Sequence, residues 1–359
     1  MPAALAAAQA EPSPDADIPR LERQVADNPA DTSAALELGR LYRDAGRTDA
    51  AEKLYLAILE RDPACAECHN ALGFLCERNK DYDRAIGHYR KAIEARPGWA
   101  RPRYHIGTCR LDQGDAAEAE RTLKEAVAAD PADASIRNAL GIASARLGKD
   151  DAAEAEYRAA AAIRPDWIAP RWNLAILCDQ QGRYRESDRA LARVLKIDPE
   201  HFDALYKRVQ HLVGALEYGM AEKFARRLVA AHPDKAASHE ALGMVLWSRK
   251  DLVEAEGCFN AAIGLDDRSA GAWLGMGHVR LAQRRYAEAE RNYRKAVELA
   301  PDALDAKRGV EMASQQQQRG ELGGGGCASA PKFAKTSPLS ILQYAVMLLP
   351  PLLFRRRRH

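Results

Sequence analysis

Aromatic residues make up only 6% of this 359-residue chain, and its formal charge is nearly balanced at +2. That balance argues against strong electrostatic capture of nucleic acid, which needs a surplus of Lys and Arg. Cysteines are few and odd in number. Cys65, Cys68, Cys76, Cys109, Cys178, Cys258 and Cys327 are mostly scattered, which excludes the dense, even framework of a small disulfide-stapled domain. There is no G-x-G-x-x-G, phosphate loop, H-E-x-x-H or nucleophile elbow, so the chain is not expected to be an enzyme. Long apolar runs are missing until the carboxy-terminal tail.

What the chain does have is a period. Leu38-Gly39 returns every 34 residues as Leu72-Gly73, Ile106-Gly107, Leu140-Gly141, Leu174-Ala175, Leu242-Gly243 and Met276-Gly277, with a degenerate register at Val209. Pro29, Pro63, Pro97, Pro131, Pro165, Pro199, Pro233 and Pro301 run in phase with it, and Asp267 fills the one gap. Each interval reads as two helices. The first carries the Leu-Gly step; the second carries a small residue (Ala51, Ala85, Ala119, Ala153, Ser187, Ala221, Ala255, Ala289) and then a large one. The large residues are Tyr55, Tyr89, Leu123, Tyr157, Leu191, Phe259 and Tyr293, with Phe224 slipped by one position. Helices packed closely need a residue without bulk where their backbones approach, and the aromatic fills the space beside it. A unit this small cannot bury its apolar face alone, but stacked units share a continuous core, which suits a chain too long for one globule.

This pattern resembles the tetratricopeptide repeat over about three quarters of the chain. The resemblance implies an all-α superhelical solenoid of antiparallel helix pairs, with eight repeats plus an amino-terminal half-repeat over residues 18–301. In the half-repeat, Leu21 and Val25 share a face. A capping helix is expected over 302–319, with Leu304, Val310 and Met312 on one side. The sixth repeat departs most, because Arg208-Val209 replaces the Leu-Gly step and Gly219 comes late for a turn; drift with local repacking, or a kink, would follow. In this family the first helices line a concave groove that binds protein or peptide partners. By helical phase that groove presents Phe74, Tyr104, Asn138, Ile142, Trp172, Ile176, Tyr206, Met244, Trp247 and Leu274. Arg40, Asn70, Glu77, Arg101, Asp179, Asp203 and Glu240 are polar neighbours. A clamp for a terminal carboxylate is not expected, since its window at Asn138, Ile142, Asn173, Asp203 and Lys207 includes an isoleucine and an aspartate. With Asn173 alone, an asparagine ladder is not expected either.

Cys65-Ala66-Glu67-Cys68-His69 is a literal C-x-x-C-H, the attachment motif of c-type haem, in which two thioethers hold the porphyrin and the histidine ligates iron. The repeat itself accounts for His69 and its neighbours, which leaves only Cys65 and Cys68 to explain; a redox pair between them, or with nearby Cys76, is another option. A structural zinc site lacks the closed ligand spacing. The expected cofactor set is therefore none, with haem as the alternative.

The termini point to location. Residues 1–17 read as a disordered leader or the remnant of an export signal, with Ala8-Gln9-Ala10 similar to a signal-peptidase site. At the other end, a flexible Gly-rich linker (320–338) with Gly323 to Gly326 and then Cys327 leads to a segment, 339–359, that is apolar from Leu339 to Phe354 and closes with Arg355 to Arg358. As a helix the apolar stretch would reach about 24 Å, slightly short of a bilayer core, and Pro350-Pro351 would bend it. The layout resembles bacterial PEP-CTERM-like sorting signals, which implies cleavage of the tail and lipid modification at Cys327. Four arginines after the span place the repeats outside the cytoplasm by the positive-inside rule. The leading expectation is an exported, membrane- or surface-anchored scaffold. The alternatives are a haem redox protein and a cytoplasmic tail-anchored assembly factor.

Overall fold

The computed structural model describes residues 14–322. The possible signal-peptidase site, Cys327, the apolar tail and the arginine cluster lie outside them. Within the described residues there are eighteen helices and no strand. Helix α1 (Pro14–Asp27) precedes eight antiparallel pairs. These are α2 (Thr32–Asp44) with α3 (Thr48–Leu59), α4 (Ala66–Arg78) with α5 (Tyr82–Ala95), α6 (Ala100–Asp112) with α7 (Ala116–Ala129), and α8 (Ala134–Arg146) with α9 (Asp150–Ile163). Then follow α10 (Ile168–Gln180) with α11 (Tyr184–Ile197), α12 (Phe202–Gly214) with α13 (Tyr218–Ala231), α14 (Ala236–Ser248) with α15 (Leu252–Leu265), and α16 (Ala270–Ala282) with α17 (Tyr286–Leu299). Helix α18 (Leu304–Leu322) closes the described chain. No helix among the described residues is long and apolar enough to cross a membrane.

Helix starts are set locally. Asp31, Asp81 and Asp115 each accept a hydrogen bond from a backbone N–H three residues on, relieving one of the donors that a helix start leaves unpaired. The turn inside every pair places one residue at positive φ: Gly46, Gly114, Gly148 and Gly182, but also Lys80, Leu216, Lys250 and Arg284. Side chains rarely adopt this conformation, so the four non-glycine residues hold it at a cost of about 1 kcal/mol each. In the sixth repeat the turn is thus made by Leu216, and Gly219 lies inside α13.

The chain divides into two compact units between Pro165 and Asp166. In the first, Ala51, Ala85, Ala119 and Ala153 are completely buried beside the step glycines. A Cβ on Gly39 would lie 2.5 Å from Tyr55, and one on Gly73 2.7 Å from Tyr89, so each glycine is the floor on which a ring rests. Ile18 and Leu21 of α1 pack with Ala34, Leu38 and Leu41 of α2.

The second unit extends the interlock from one repeat to the next. Phe259 lies against Gly243 of its own repeat and Gly275 of the next; Tyr293 lies against Gly277 and then Gly309 of α18. The sixth repeat shows no break in α12. Val209 stands where six of the other repeats have glycine and the fifth has Ala175, Ala225 stands where they have the large residue, and both are fully buried. Large and small have exchanged places, which conserves volume without a kink. The displaced Phe224 instead lies under the Arg208 guanidinium, 4.2 Å from ring centroid to Cζ. On α18, Ala306 and Ala313 are buried and Val310 and Met312 pack on the core, but Leu304 is 61% exposed and faces away from it.

Candidate partner-binding groove

In the first unit, α2, α4 and α6 surround an open hollow of about 470 Å³. Its lining comes almost wholly from these first helices: Arg43 and Asp44 end α2, Asn70, Phe74 and Arg78 lie along α4, and Arg101 and His105 lie on α6. Phe74 is half-buried, with the Arg43 guanidinium 5.3 Å above its ring. His105 forms the inner wall, stacked on Tyr89 at 5.0 Å and edge-on to both Phe74 and Tyr104.

Below the hollow, Glu77 receives hydrogen bonds from the Tyr89 hydroxyl at 2.6 Å and the Thr108 hydroxyl at 3.4 Å, and its other contact is His105 Nδ1 at 3.1 Å. Burial alone would raise the Glu77 carboxyl, but these donors outweigh it and hold the group below the ordinary carboxylate range. The anion is therefore satisfied by its own repeat and by its neighbour, and it fixes the His105 ring.

Of the sequence-predicted groove residues in this unit, the structure brings Phe74 and Tyr104 together around His105, and Ile142 is half-buried beside them in the sequence of first helices. Asn138 is 8% exposed and is a packing residue. In the second unit, Trp172 and Ile176 are half-buried, and Trp247 lies against His278 at 5.0 Å. Tyr206, Met244 and Leu274, at 3%, 1% and 2% exposure, correct the expectation. They belong to the core and offer a partner nothing. The reason is close approach. Gly271 lies against the Glu240 carboxylate and Gly275 against Phe259, so α16 settles onto α14 and closes the face that helical phase alone left open. Glu240 is buried with them, accepting a hydrogen bond from the Ser269 hydroxyl at 2.9 Å.

Asp179 is likewise occupied. It meets His211 Nε2 at 2.7 Å and Lys207 Nζ at 2.7 Å, while His211 Nδ1 reaches Asp188 at 2.9 Å. Burial works against a charged His211, but the two carboxylates prevail and raise its pKa. Sequence reasoning missed Arg43, Arg78 and His105. The only signal for them was that Arg43 and Arg78 sit near the same place in successive first helices.

The cysteine-histidine motif sits at the start of α4. Cys65 and Cys68 are joined in a disulfide, with Cα atoms 5.4 Å apart, and Cys68 has no exposed surface. His69 Nε2 donates to the Pro63 carbonyl at 3.1 Å, leaving Nδ1 to face His88 Nδ1 at 3.3 Å. Two free thiols and an accessible imidazole are what haem attachment requires, and these residues as arranged do not fit it. Among the described residues no group of three or more His, Cys, Asp or Glu side chains is placed to hold a metal.

Profiles of the tetratricopeptide repeat match residues 19–98, 78–143, 170–201, 206–270 and 270–303. The chain belongs to the tetratricopeptide-repeat family, whose fold is that of a protein-interaction scaffold. Among solved structures it is similar to the C-terminal part of a repeat-containing protein from Cytophaga hutchinsonii (TM-score 0.57, 13% identity, covering 67% of this chain and 98% of that one). It is also similar to PilF of Pseudomonas aeruginosa (TM-score 0.51, 20% identity, 58% and 95% covered). A third likeness is to YrrB, described as having an unusual peptide-binding site (TM-score 0.44, 20% identity, 52% and 97% covered). At these identities the first two likenesses show the fold alone. No curated protein matches the chain.

Proposed function

We propose that this protein is a non-enzymatic scaffold that seats a segment of a partner protein in the groove of its first unit. The observation that carries this reading is the open hollow between α2, α4 and α6, with the half-buried Phe74 ring accessible within it. An aromatic anchor in a concavity ringed by polar groups is the usual form of a binding hot spot. Affinity capture with the full chain should recover a partner that Phe74→Ala loses by about tenfold or more. Equal recovery by both chains would sink the assignment of the groove.

We further propose that the repeats work outside the cytoplasm, tethered through the carboxy-terminal tail. The support is in the sequence: an apolar run from Leu339 to Phe354 followed at once by four arginines, which favour retention on the cytoplasmic side. Protease added to intact spheroplasts should digest the repeats. Complete protection, with digestion only after lysis, would place them in the cytoplasm instead.

A further inference from the structure

We propose that the hollow of the first unit takes an anionic group of the partner, a carboxylate or a phosphate, on the guanidiniums of Arg78 and Arg101. This rests on the groove reading above and adds the chemistry of what enters it.

The argument begins with charge pairing. Arginines on neighbouring positions are already engaged: Arg40 with Glu37 and Asp44, Arg43 with Asp44 at 2.8 Å, and Arg47 with Glu22 at 3.6 Å. Arg78 of α4 and Arg101 of α6 are different. Both are exposed, both line the same hollow, and neither has a hydrogen bond or ion pair among the described residues. Two unanswered positive charges thus border one concavity.

The nearby acids do not neutralise them. Asp44 is shared between Arg40 and Arg43, and Glu77 is taken up by Tyr89, Thr108 and His105. A second, independent feature belongs to the same hollow. The Asn70 amide lines the hollow, and its Oδ1 is buried with no hydrogen-bond partner. Because Oδ1 is the buried end of this amide, its NH2 is the end left to the hollow, where it offers N–H donors to an incoming oxygen. Guanidiniums present paired donors in a plane, which matches the oxygens of carboxylate and phosphate. Arg43 over Phe74 leaves an aromatic surface beside the charged site for an apolar neighbour of the anion. The site uses none of the residues of the terminal-carboxylate clamp window considered above.

The test uses the immobilised full chain and fluorescein-labelled octapeptide pools, randomised except at one position. That position is fixed as Glu, phosphoserine or Gln, and each pool has a free or an amidated carboxy terminus. At low salt the anionic pools should be retained about tenfold more than the amidated Gln pool, and added salt should narrow the gap. The double variant Arg78→Ala, Arg101→Ala should reduce the anionic pools to the Gln level; both positions are exposed, so the fold is unaffected. Discrimination by the free terminus alone identifies a chain end as the anion, and preference for phosphoserine identifies phosphate. Equal retention of all pools, or discrimination that survives the double variant, overturns the proposal. Phe74→Ala should lower every pool alike. If it does while charge is ignored, the groove stands and the anion site falls. If charge discrimination persists and Phe74→Ala changes nothing, the anchor assignment falls instead.

Discussion

Gly275→Ala should destabilise the second unit by roughly 2 kcal/mol or more, although the change is a single methyl group on a helix. A Cβ there would overlap the Phe259 ring at Cε1 and Cζ, and that ring is already fully buried and held from the other side by Gly243. The ring has nowhere to retreat. Alanine's better helix propensity returns at most about 1 kcal/mol, which leaves the overlap dominant. Gly257→Ala in α15 is the control, because a Cβ at that position meets nothing within 4 Å. It should be neutral or slightly stabilising, with the same gain in propensity. Hydrogen exchange across α14 to α17 is the measurement, since a repeat array unfolds by parts rather than in one step. Equal protection in the two variants would show that Phe259 is not locked between the glycines. Phe259→Leu combined with Gly275→Ala should recover part of the loss.

Glu240→Gln should make the second unit progressively more stable relative to wild type as pH rises, reaching a difference of about 3 kcal/mol at pH 8. Glu240 is buried, and its pKa is pushed up to about 7 by desolvation, against the Ser269 hydrogen bond, with the Asp266 charge adding to the rise. For an acid whose folded pKa lies above its unfolded value, the stabilising contribution is complete below the unfolded value and is lost as pH climbs through the folded one. The window here runs from the ordinary 4.5 to about 7. Gln keeps the shape without the proton, so the two proteins should coincide near pH 4 and diverge above it. His278, with its pKa lowered to about 4 by burial against the pull of Asp305, works in the opposite direction and is common to both proteins. It cancels in the comparison. Urea titrations at pH 4, 6 and 8 would decide the matter, and a difference that does not vary with pH would mean Glu240 carries no such strain.

The period of the Leu-Gly step made the helix pairs legible, because each repeat states the same packing requirement in small and large residues. The groove was legible only in part. Phase puts Phe74 and Tyr104 on the first-helix face, but it cannot say how near the next first helix will come. That distance is set by Gly271 and Gly275, which look like ordinary helix interior in the sequence yet allow α16 to cover Met244. Arg78 was missed, and Arg101, which phase put beside the groove, gave no sign in the sequence that it would stand without a partner. An arginine near a helix end is commonplace, and its lack of a partner is a fact about three helices together. Cys65 and Cys68 show the converse: the motif was plain in the sequence, while their pairing and burial became visible only in the fold.

The exchange of large and small residues at Val209 and Ala225 limits how the repeats can be recombined. Joining the first helix of one repeat to the second helix of another keeps a glycine beneath a large side chain for most pairings. Helix α12 departs furthest: set beside the second helix of the fourth repeat, Val209 would be driven into Tyr157. Helix α13 fails in the opposite sense, because Ala225 beside a glycine leaves a void where a ring should be. The sixth repeat can therefore be transplanted or duplicated as an intact pair, but neither of its helices is interchangeable alone.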